Sequence, residues 1–287
     1  MKIKKVGLIA KSHKLKKVKT VKELFDGLAD RNIRVYIDKE TAQRLGATSR
    51  LSREEVCELD LDLMIVLGGD GTLLSVARLL YDRPVPIMGV NMGNLGFLTE
   101  FTIEDALPAL DALLAGEINF EERMFLDVSI LKNGRATGHY KVLNDVVFNK
   151  GVLSRLVDLK VCISGQYVTS YRGDGLIIAT PTGSTAYSMA AGGPILYPTI
   201  DALIVCPICP FSFANRPIVV PGDRVIEVQL GNEHKDFYVT LDGQTGFEMK
   251  MEYTLRIQRA KPRLKLIHLP DKNYYEVLRK KLKWGDR

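Results

Sequence analysis

The chain has 287 residues, 46% of them hydrophobic and 26% charged, with a formal net charge of +6. This is the composition of a globular protein of one large or two medium domains. It excludes a membrane-spanning helix, because no apolar run approaches the ~20 residues a bilayer needs, and it lacks the interleaved basic and aromatic residues of a nucleic-acid surface.

Eight of the first 20 residues are lysine. They read as a solvated basic face, or as a field that draws anionic nucleotides and polyphosphate toward a nearby cleft. Met1-Lys2-Ile3-Lys4-Lys5 leads into five mostly apolar residues, Val6 to Ala10. That is too short for a signal-peptide core, so the expected location is the cytoplasm. Residues 3–10 read as a strand. Residues 17–30 read as a helix with Val18, Val21, Leu24, Phe25 and Leu28 on one face, and residues 33–37 as a second strand.

The most informative stretch follows. An apolar strand, 61–67, runs into Gly68-Gly69-Asp70-Gly71-Thr72, and an apolar stripe at helical spacing (Leu73, Val76, Ala77, Leu80) continues it to about residue 81. Three glycines in four residues let backbone N–H groups approach a ligand, and the helix start adds further N–H groups and partial positive charge. The stretch is a phosphate cradle with one carboxylate set inside it. A structural reading stands beside this, with Asp70 capping the helix at an Asp-Gly turn. The acid argues for chemistry: beside phosphate it makes sense as a proton acceptor for an attacking hydroxyl, or as a ligand of a divalent cation.

A short strand, 85–90, ends in a second glycine-rich loop, Asn91-Met92-Gly93-Asn94-Leu95-Gly96-Phe97, and a helix is expected over 103–115. Alternating strands and helices with apolar strands predict a parallel sheet covered on both faces. Ligands of such sheets collect outside the carboxyl ends of the strands, where both glycine loops lie.

Near residue 120 the helical period nearly vanishes. Strands are expected around 126–130 and 157–163, and over 176–180, 203–206, 217–220, 224–230, 237–241, 252–258 and 264–268, with a hairpin turn at Lys132-Asn133-Gly134-Arg135 and a short helix over 184–192. An amphipathic helix over 273–283 is expected to pack back onto the first domain. The expected domains are therefore 1–120 with 269–287, and 121–268. In the second, Arg172-Gly173-Asp174-Gly175 leads through a strand to a hydroxyl cluster around Thr182, Ser184 and Thr185. Hydroxyls and N–H groups at a helix start suit a nucleotide's phosphates and ribose, with Arg172 on phosphate and Tyr187 on a base; the alternative is a capped helix with Tyr187 in the core. Asn144-Asp145 inside an apolar run is costly unless it faces a cleft, although such a pair is often a turn. Leu241-Asp242-Gly243-Gln244 reads as a turn. Cys206-Pro-Ile-Cys209 has metal or redox spacing, but no second pair completes a zinc site, and buried reduced thiols are expected.

Taken together, G-G-D-G-T at 68–72, N-D at 144–145, G-D-G-L-I-I-A-T-P-T-G-S-T-A-Y-S at 173–188, G-G-P-I-L at 192–196 and D-G-Q at 242–244 resemble the NAD kinase family. The first of these is shared with diacylglycerol, sphingosine and phosphofructokinase-type kinases; the 173–188 stretch is the specific one. The resemblance implies a Rossmann-like α/β domain and a β-sandwich domain. It implies transfer of the terminal phosphoryl of ATP, or of polyphosphate in some members, to the 2′-hydroxyl of NAD's adenosine ribose. Asp70 would accept the proton, while Gly68, Gly69, Gly71 and Thr72 form the phosphate-donor loop with Mg²⁺ bridging the donor's oxygens. NAD would be contacted by Asp70, Gly71, Asn144, Asp145 (where many relatives carry Glu), Arg155, Arg172, Asp174, Thr185, Ala186, Tyr187, Ser188, Met189, Ala190 and Gln244. A homodimer or homotetramer is implied. A lipid or sugar kinase sharing only the glycine-aspartate loop, and a non-catalytic dinucleotide sensor, are the competing readings.

Overall fold

The computed structural model describes residues 3–11, 18–93, 95–117, 119–151, 156–231, 236–268 and 273–285. The chain divides into two compact units, Met1–Glu122 with Leu264–Arg287, and Arg123–Arg263. Among the described residues no helix is long and apolar enough to cross a membrane.

The first unit runs β1 (Lys5–Ala10), α1 (Val18–Asp30), β2 (Arg34–Ile37), α2 (Lys39–Leu45), α3 (Arg53–Glu58), β3 (Leu63–Gly68), α4 (Asp70–Leu79), β4 (Ile87–Asn91), β5 (Phe101–Thr102) and α5 (Ala106–Ala115). Strands β2, β1, β3 and β4 lie side by side in that order, all parallel, with β5 added beside β4. Every residue of β3 and β4 is buried, as a sheet covered on both faces requires. The apolar stripes of α1 (Val21, Leu24, Leu28) and α5 (Ala106, Ala109, Leu110, Leu113) fill one core with Val6, Leu8, Leu63, Ile65, Leu67, Met88 and Val90. The crossover from β1 leads to β2 on one side, and the crossover from β3 leads to β4 on the other. The carboxyl ends of β1 and β3 therefore form a topological switch point, where connecting loops part and a crevice opens. Lys11, just past β1, donates its backbone N–H to the Leu67 carbonyl at 2.8 Å, and the glycine-aspartate loop leaves β3 at the next residue.

The second unit takes up β6 (Asn119–Lys132), then β7 (Arg135–Val142), β8 (Asp145–Lys150), β9 (Val157–Ile163), β10 (Gln166–Gly173), β11 (Gly175–Ala179), a 3₁₀ turn at Thr182–Thr185, α6 (Tyr187–Ala190), β12 (Ala202–Ile208), β13 (Ile218–Pro221), β14 (Ile226–Leu230), β15 (Phe237–Leu241) and β16 (Thr245–Glu248). A long strand, β17 (Tyr253–His268), begins in this unit and ends in the first, where Leu266 pairs with Ile87 of β4, and α7 (Tyr274–Leu282) follows. One sheet has the order β13-β12-β11-β8-β15-β16. Its Val146, Phe148, Leu176, Ile178, Leu203 and Val205 share a core with Leu126, Val128, Leu159, Val161, Val228 and Leu255 from strands of the other sheet. This is a β-sandwich, built by alternating side chains from two inner faces.

The structure departs locally from these expectations. Helices α2 and α3 were not expected, yet Ser52 and Glu55 form a reciprocal capping box at the start of α3, a signal present in the sequence. The expected strands 252–258 and 264–268 are one strand, because Pro262 removes a ladder donor while keeping an extended-compatible φ. The hairpin strand β16 is an addition. The expected helix over 184–192 is a 3₁₀ turn followed by a single α-turn, lying with Ala191 and Leu196 against the outer face of β11 and β12.

Candidate active site

In the first unit the two glycine-rich loops converge on Asp70. This residue opens α4 but caps nothing in its own helix: the N-cap is Gly69 and makes no side-chain cap bond. The carboxylate instead reaches the loop after β4. Oδ2 accepts from the Phe97 N–H at 2.8 Å, and Oδ1 accepts from the Leu98 N–H at 3.0 Å, the Thr99 N–H at 3.2 Å and the Thr99 hydroxyl at 3.2 Å. Three successive amides thus converge on one half-buried carboxylate. Asn91, at the end of β4, steadies the loop by donating to Thr99 Oγ1 at 3.1 Å and accepting from the Gly93 N–H at 2.6 Å. Gly96 is what lets the loop come so near, since a Cβ there would lie 2.1 Å from Asp70 Oδ1. Gly68 is buried, Gly69 and Thr72 are half-buried and Gly71 is exposed, so the loop rim is open to a ligand.

The second unit holds a cavity of about 300 Å³ lined by Asn144, Asp145, Val147, Asn149, Ala186, Tyr187, Thr240, Asp242 and Gly243. It brings four of the sequence-predicted residues together. Asn144 precedes β8 and Asp145 starts it, so the two side chains escape strand alternation and share one cavity. The organiser is Asp242, whose importance the sequence reading missed. Its Oδ1 accepts from the N–H groups of Leu143, Asn144 and Asp145 at 3.1, 2.7 and 3.3 Å, and its Oδ2 from Leu143 at 3.1 Å. The signal that could have found it is Asp242-Gly243 at a strand end, both residues in the left-handed region (φ 50° and 64°). Burial, then the nearby Asp242 charge, pushes the Asp145 carboxyl up to about 7. Asn144 Oδ1 is buried with no hydrogen-bond partner among the described residues, which marks an acceptor left for a ligand.

The hydroxyl cluster behaves differently from expectation. Ser184 Oγ donates to the Pro181 carbonyl at 2.6 Å and accepts from the Leu196 N–H at 3.0 Å, and Thr180 Oγ1 donates to the Leu143 carbonyl at 2.6 Å. These hydroxyls tie the turn to the sheet. Thr182 Oγ1 and Ser188 Oγ are buried with no hydrogen-bond partner among the described residues. Thr185 is half-buried, with its hydroxyl 3.4 Å from the Thr182 carbonyl, while Met189 is half-buried and Ala190 exposed. Arg172 is exposed with its guanidinium 5.7 Å from the Phe211 ring centroid, Asp174 pairs with Lys150 at 3.3 Å, and Gln244 is exposed in the β15–β16 turn. Arg155 lies outside the described residues. The expectation of two buried thiols holds for Cys206 only; Cys209 is exposed on a left-handed turn (φ 43°), and both are free. A further cavity, about 830 Å³ along α2 and the loop after it, is lined by residues such as Lys39, Gln43 and Arg50 and gathers none of the motif residues. No group of three His, Cys, Asp or Glu side chains among the described residues could hold a metal ion.

Sequence comparison places this geometry. The ATP-NAD kinase N-terminal domain family matches residues 6–118, and the ATP-NAD kinase C-terminal domain family matches 143–269. The chain is 47% identical over 285 residues to the NAD kinase of Geotalea daltonii and 44% identical over 285 to that of Geobacter sulfurreducens, covering 99% of this chain and 100% of each relative. Among solved structures it is similar to yeast NADH kinase complexed with NADH (TM-score 0.89, 20% identity, 99% of this chain and 89% of that one). It is also similar to an NAD kinase from Archaeoglobus fulgidus in complex with ATP (TM-score 0.77, 25% identity, 98% and 100%). A lipid or sugar kinase sharing only the loop, and a dinucleotide sensor without catalysis, are set aside by relatives that are NAD kinases over their full length.

Two outcomes follow from the second-unit geometry. A Cβ on Gly183 would lie 2.2 Å from the Asn144 carbonyl oxygen and 2.5 Å from its carbon. Gly183→Ala is therefore expected to cost about 1–3 kcal/mol in a denaturant titration, by displacing the backbone of Asn144. Because the Asp145 carboxyl is raised to about 7, the folded state resists its ionisation. Its contribution to stability is complete below the unfolded carboxyl's ordinary value near 4 and is lost as pH rises through about 7. Asp145→Asn is expected to flatten that decline, so that its thermal midpoint gains on the wild type at pH 8 but not at pH 4.

Proposed function

The chain belongs to the NAD kinase family, and we propose that its phosphoryl transfer to the 2′-hydroxyl of NAD's adenosine ribose turns on Asp70. The observation that carries this is the lone-pair count. Among the described residues Oδ1 is engaged by three donors and Oδ2 by one, which leaves Oδ2 a lone pair for an incoming alcohol proton. As the ribose oxygen forms its bond to the terminal phosphorus of ATP, the bond from that phosphorus to the bridging oxygen breaks. ADP leaves, and the hydroxyl proton passes to Asp70. The transition state of such a transfer is loose, so positioning and charge neutralisation outweigh base strength.

Around this centre the loop amides at Gly69 and Gly71 and the start of α4 steady the donor's oxygens, with Gly68 and Thr72 completing the loop. A divalent cation, Mg²⁺ in this reading, would be held through the donor's phosphates and would neutralise their charge. NAD is held by Asn144, whose buried Oδ1 awaits a donor, and by Asp145, Ala186 and Tyr187 in the same cavity. Gly71, Arg155, Arg172, Asp174, Thr185, Ser188, Met189, Ala190 and Gln244 are assigned to NAD on sequence resemblance. ATP rather than polyphosphate is taken as donor, in keeping with the archaeal relative solved with ATP. A homodimer or homotetramer in the cytoplasm completes the reading, supported by Phe211 and Phe213, 71% and 93% exposed, and by four free cysteines.

Asp70→Asn tests the proposal. One amide orientation keeps an oxygen toward Leu98 and Thr99, so the variant is expected to fold. Its rate of NADP formation from NAD, ATP and Mg²⁺ should fall on the order of 10²–10⁴-fold, while NAD affinity by calorimetry changes little. Wild-type turnover in this variant would remove Asp70 from the proton-accepting role.

A further inference from the structure

Resting on the reading of Asp70 as proton acceptor, we propose that the C-terminal segment of the chain is a catalytic brace, in which His268 and Lys281 position the amides that grip Asp70. The three donating amides belong to Phe97, Leu98 and Thr99, and the C-terminal segment touches this run at both ends. On one side, Glu100 directly follows Thr99. It is buried, and its Oε2 lies 2.8 Å from Nδ1 of His268, the last residue of β17. On the other side, the Lys281 ammonium of α7 lies 5.6 Å from the ring centroid of Phe97, the residue whose N–H bonds Oδ2.

Both contacts stand on rigid ground. Leu266 pairs with Ile87 of β4, Ile267 joins the core of the first unit, and Val277 and Leu278 of α7 are buried. A carboxylate as buried as Glu100 is held by its partners, and the His268 contact is one that ties residue 100 to the end of β17. Residues 97–99 are then held between two anchored points, and the carboxylate they grip inherits that position. Displacing a reacting group by about 1 Å can cost on the order of 10²-fold in rate without loss of substrate affinity. His268 and Lys281 are positioning residues, acting through the amides on Asp70.

The test is a double-mutant cycle on the full chain. His268→Ala is expected to lower kcat on the order of 10–100-fold, with KM for NAD and for ATP essentially unchanged. His268→Asn, whose side-chain amide reproduces the Nδ1 donor toward Glu100, should recover most of that kcat, and it carries the test if the alanine variant does not fold. In an Asp70→Asn background, His268→Ala should add little further loss, because both changes act on one group. Three results would overturn the brace: wild-type kcat in His268→Ala, no recovery in a folded His268→Asn, or the same fractional loss with and without Asp70. Full turnover in Asp70→Asn alone would sink the parent reading instead, whatever His268 does.

Discussion

A carboxylate gripping three consecutive backbone amides of a distant loop is the constraint on which the chemistry proposed for the first unit depends. Asp70 leaves β3 and holds residues 97–99, which come from the end of β4. Three N–H dipoles aimed at one negative group make a strong anchor, and charge-assisted bonds of this kind are roughly twice as strong as neutral ones. The grip converts two glycine-rich segments, each mobile by composition, into one surface with a fixed acid. It also explains the loop's content: Asn91 and Thr99 brace each other across it, and residue 96 must lack a side chain for the acid to fit.

The parallel sheet sets where that grip can form. Strands β3 and β4 are paired from Met64–Ile87 to Gly68–Asn91, so their loops emerge side by side at the same edge. The strand order then places the β1 end, with Lys11, on the other flank of the Gly68–Asp70 turn. The switch point supplies the crevice, and the start of α4 brings the positive end of the helix dipole to it. No element of this arrangement needs an unusual backbone; it follows from buried apolar strands that must be covered on both faces.

Most of the architecture was legible because it is written in local periodicity. The run Leu63–Gly68 reads as a buried strand, and the α1 stripe reads as a helix face. Asn133-Gly134 reads as a hairpin turn, and both residues do adopt positive φ (50° and 76°). The motif residues were legible as types: Asp70 among glycines, Asn144-Asp145 against an apolar run. What was not legible is which partner each finds. The donors to Asp70 lie 27 to 29 residues away and those to Asp242 lie 97 to 99 away, distances at which sequence pattern carries no pairing information. For the same reason the hydroxyl of Ser184 looked like a ligand contact, whereas it satisfies the carbonyl of Pro181. Cys209 was misjudged because a C-x-x-C spacing says nothing about a left-handed turn that lifts one thiol into solvent.

The same clamp occurs twice, and the contrast shows what turns it from structure into chemistry. Asp242 likewise holds three successive amides, those of residues 143–145, with the Leu143 N–H shared between its two oxygens. Yet Asp242 is 6% exposed, at the turn of a hairpin, and its field falls on a neighbouring carboxyl, raising Asp145. It shapes a cavity and tunes an adjacent acid. Asp70 is half-buried, at a helix start where a parallel sheet parts its loops. The bonds are alike; exposure and the surrounding N–H groups decide whether the remaining lone pair can meet a substrate. A buried clamp fixes shape, and the one at the open rim of a glycine-rich loop is the one we propose takes a proton.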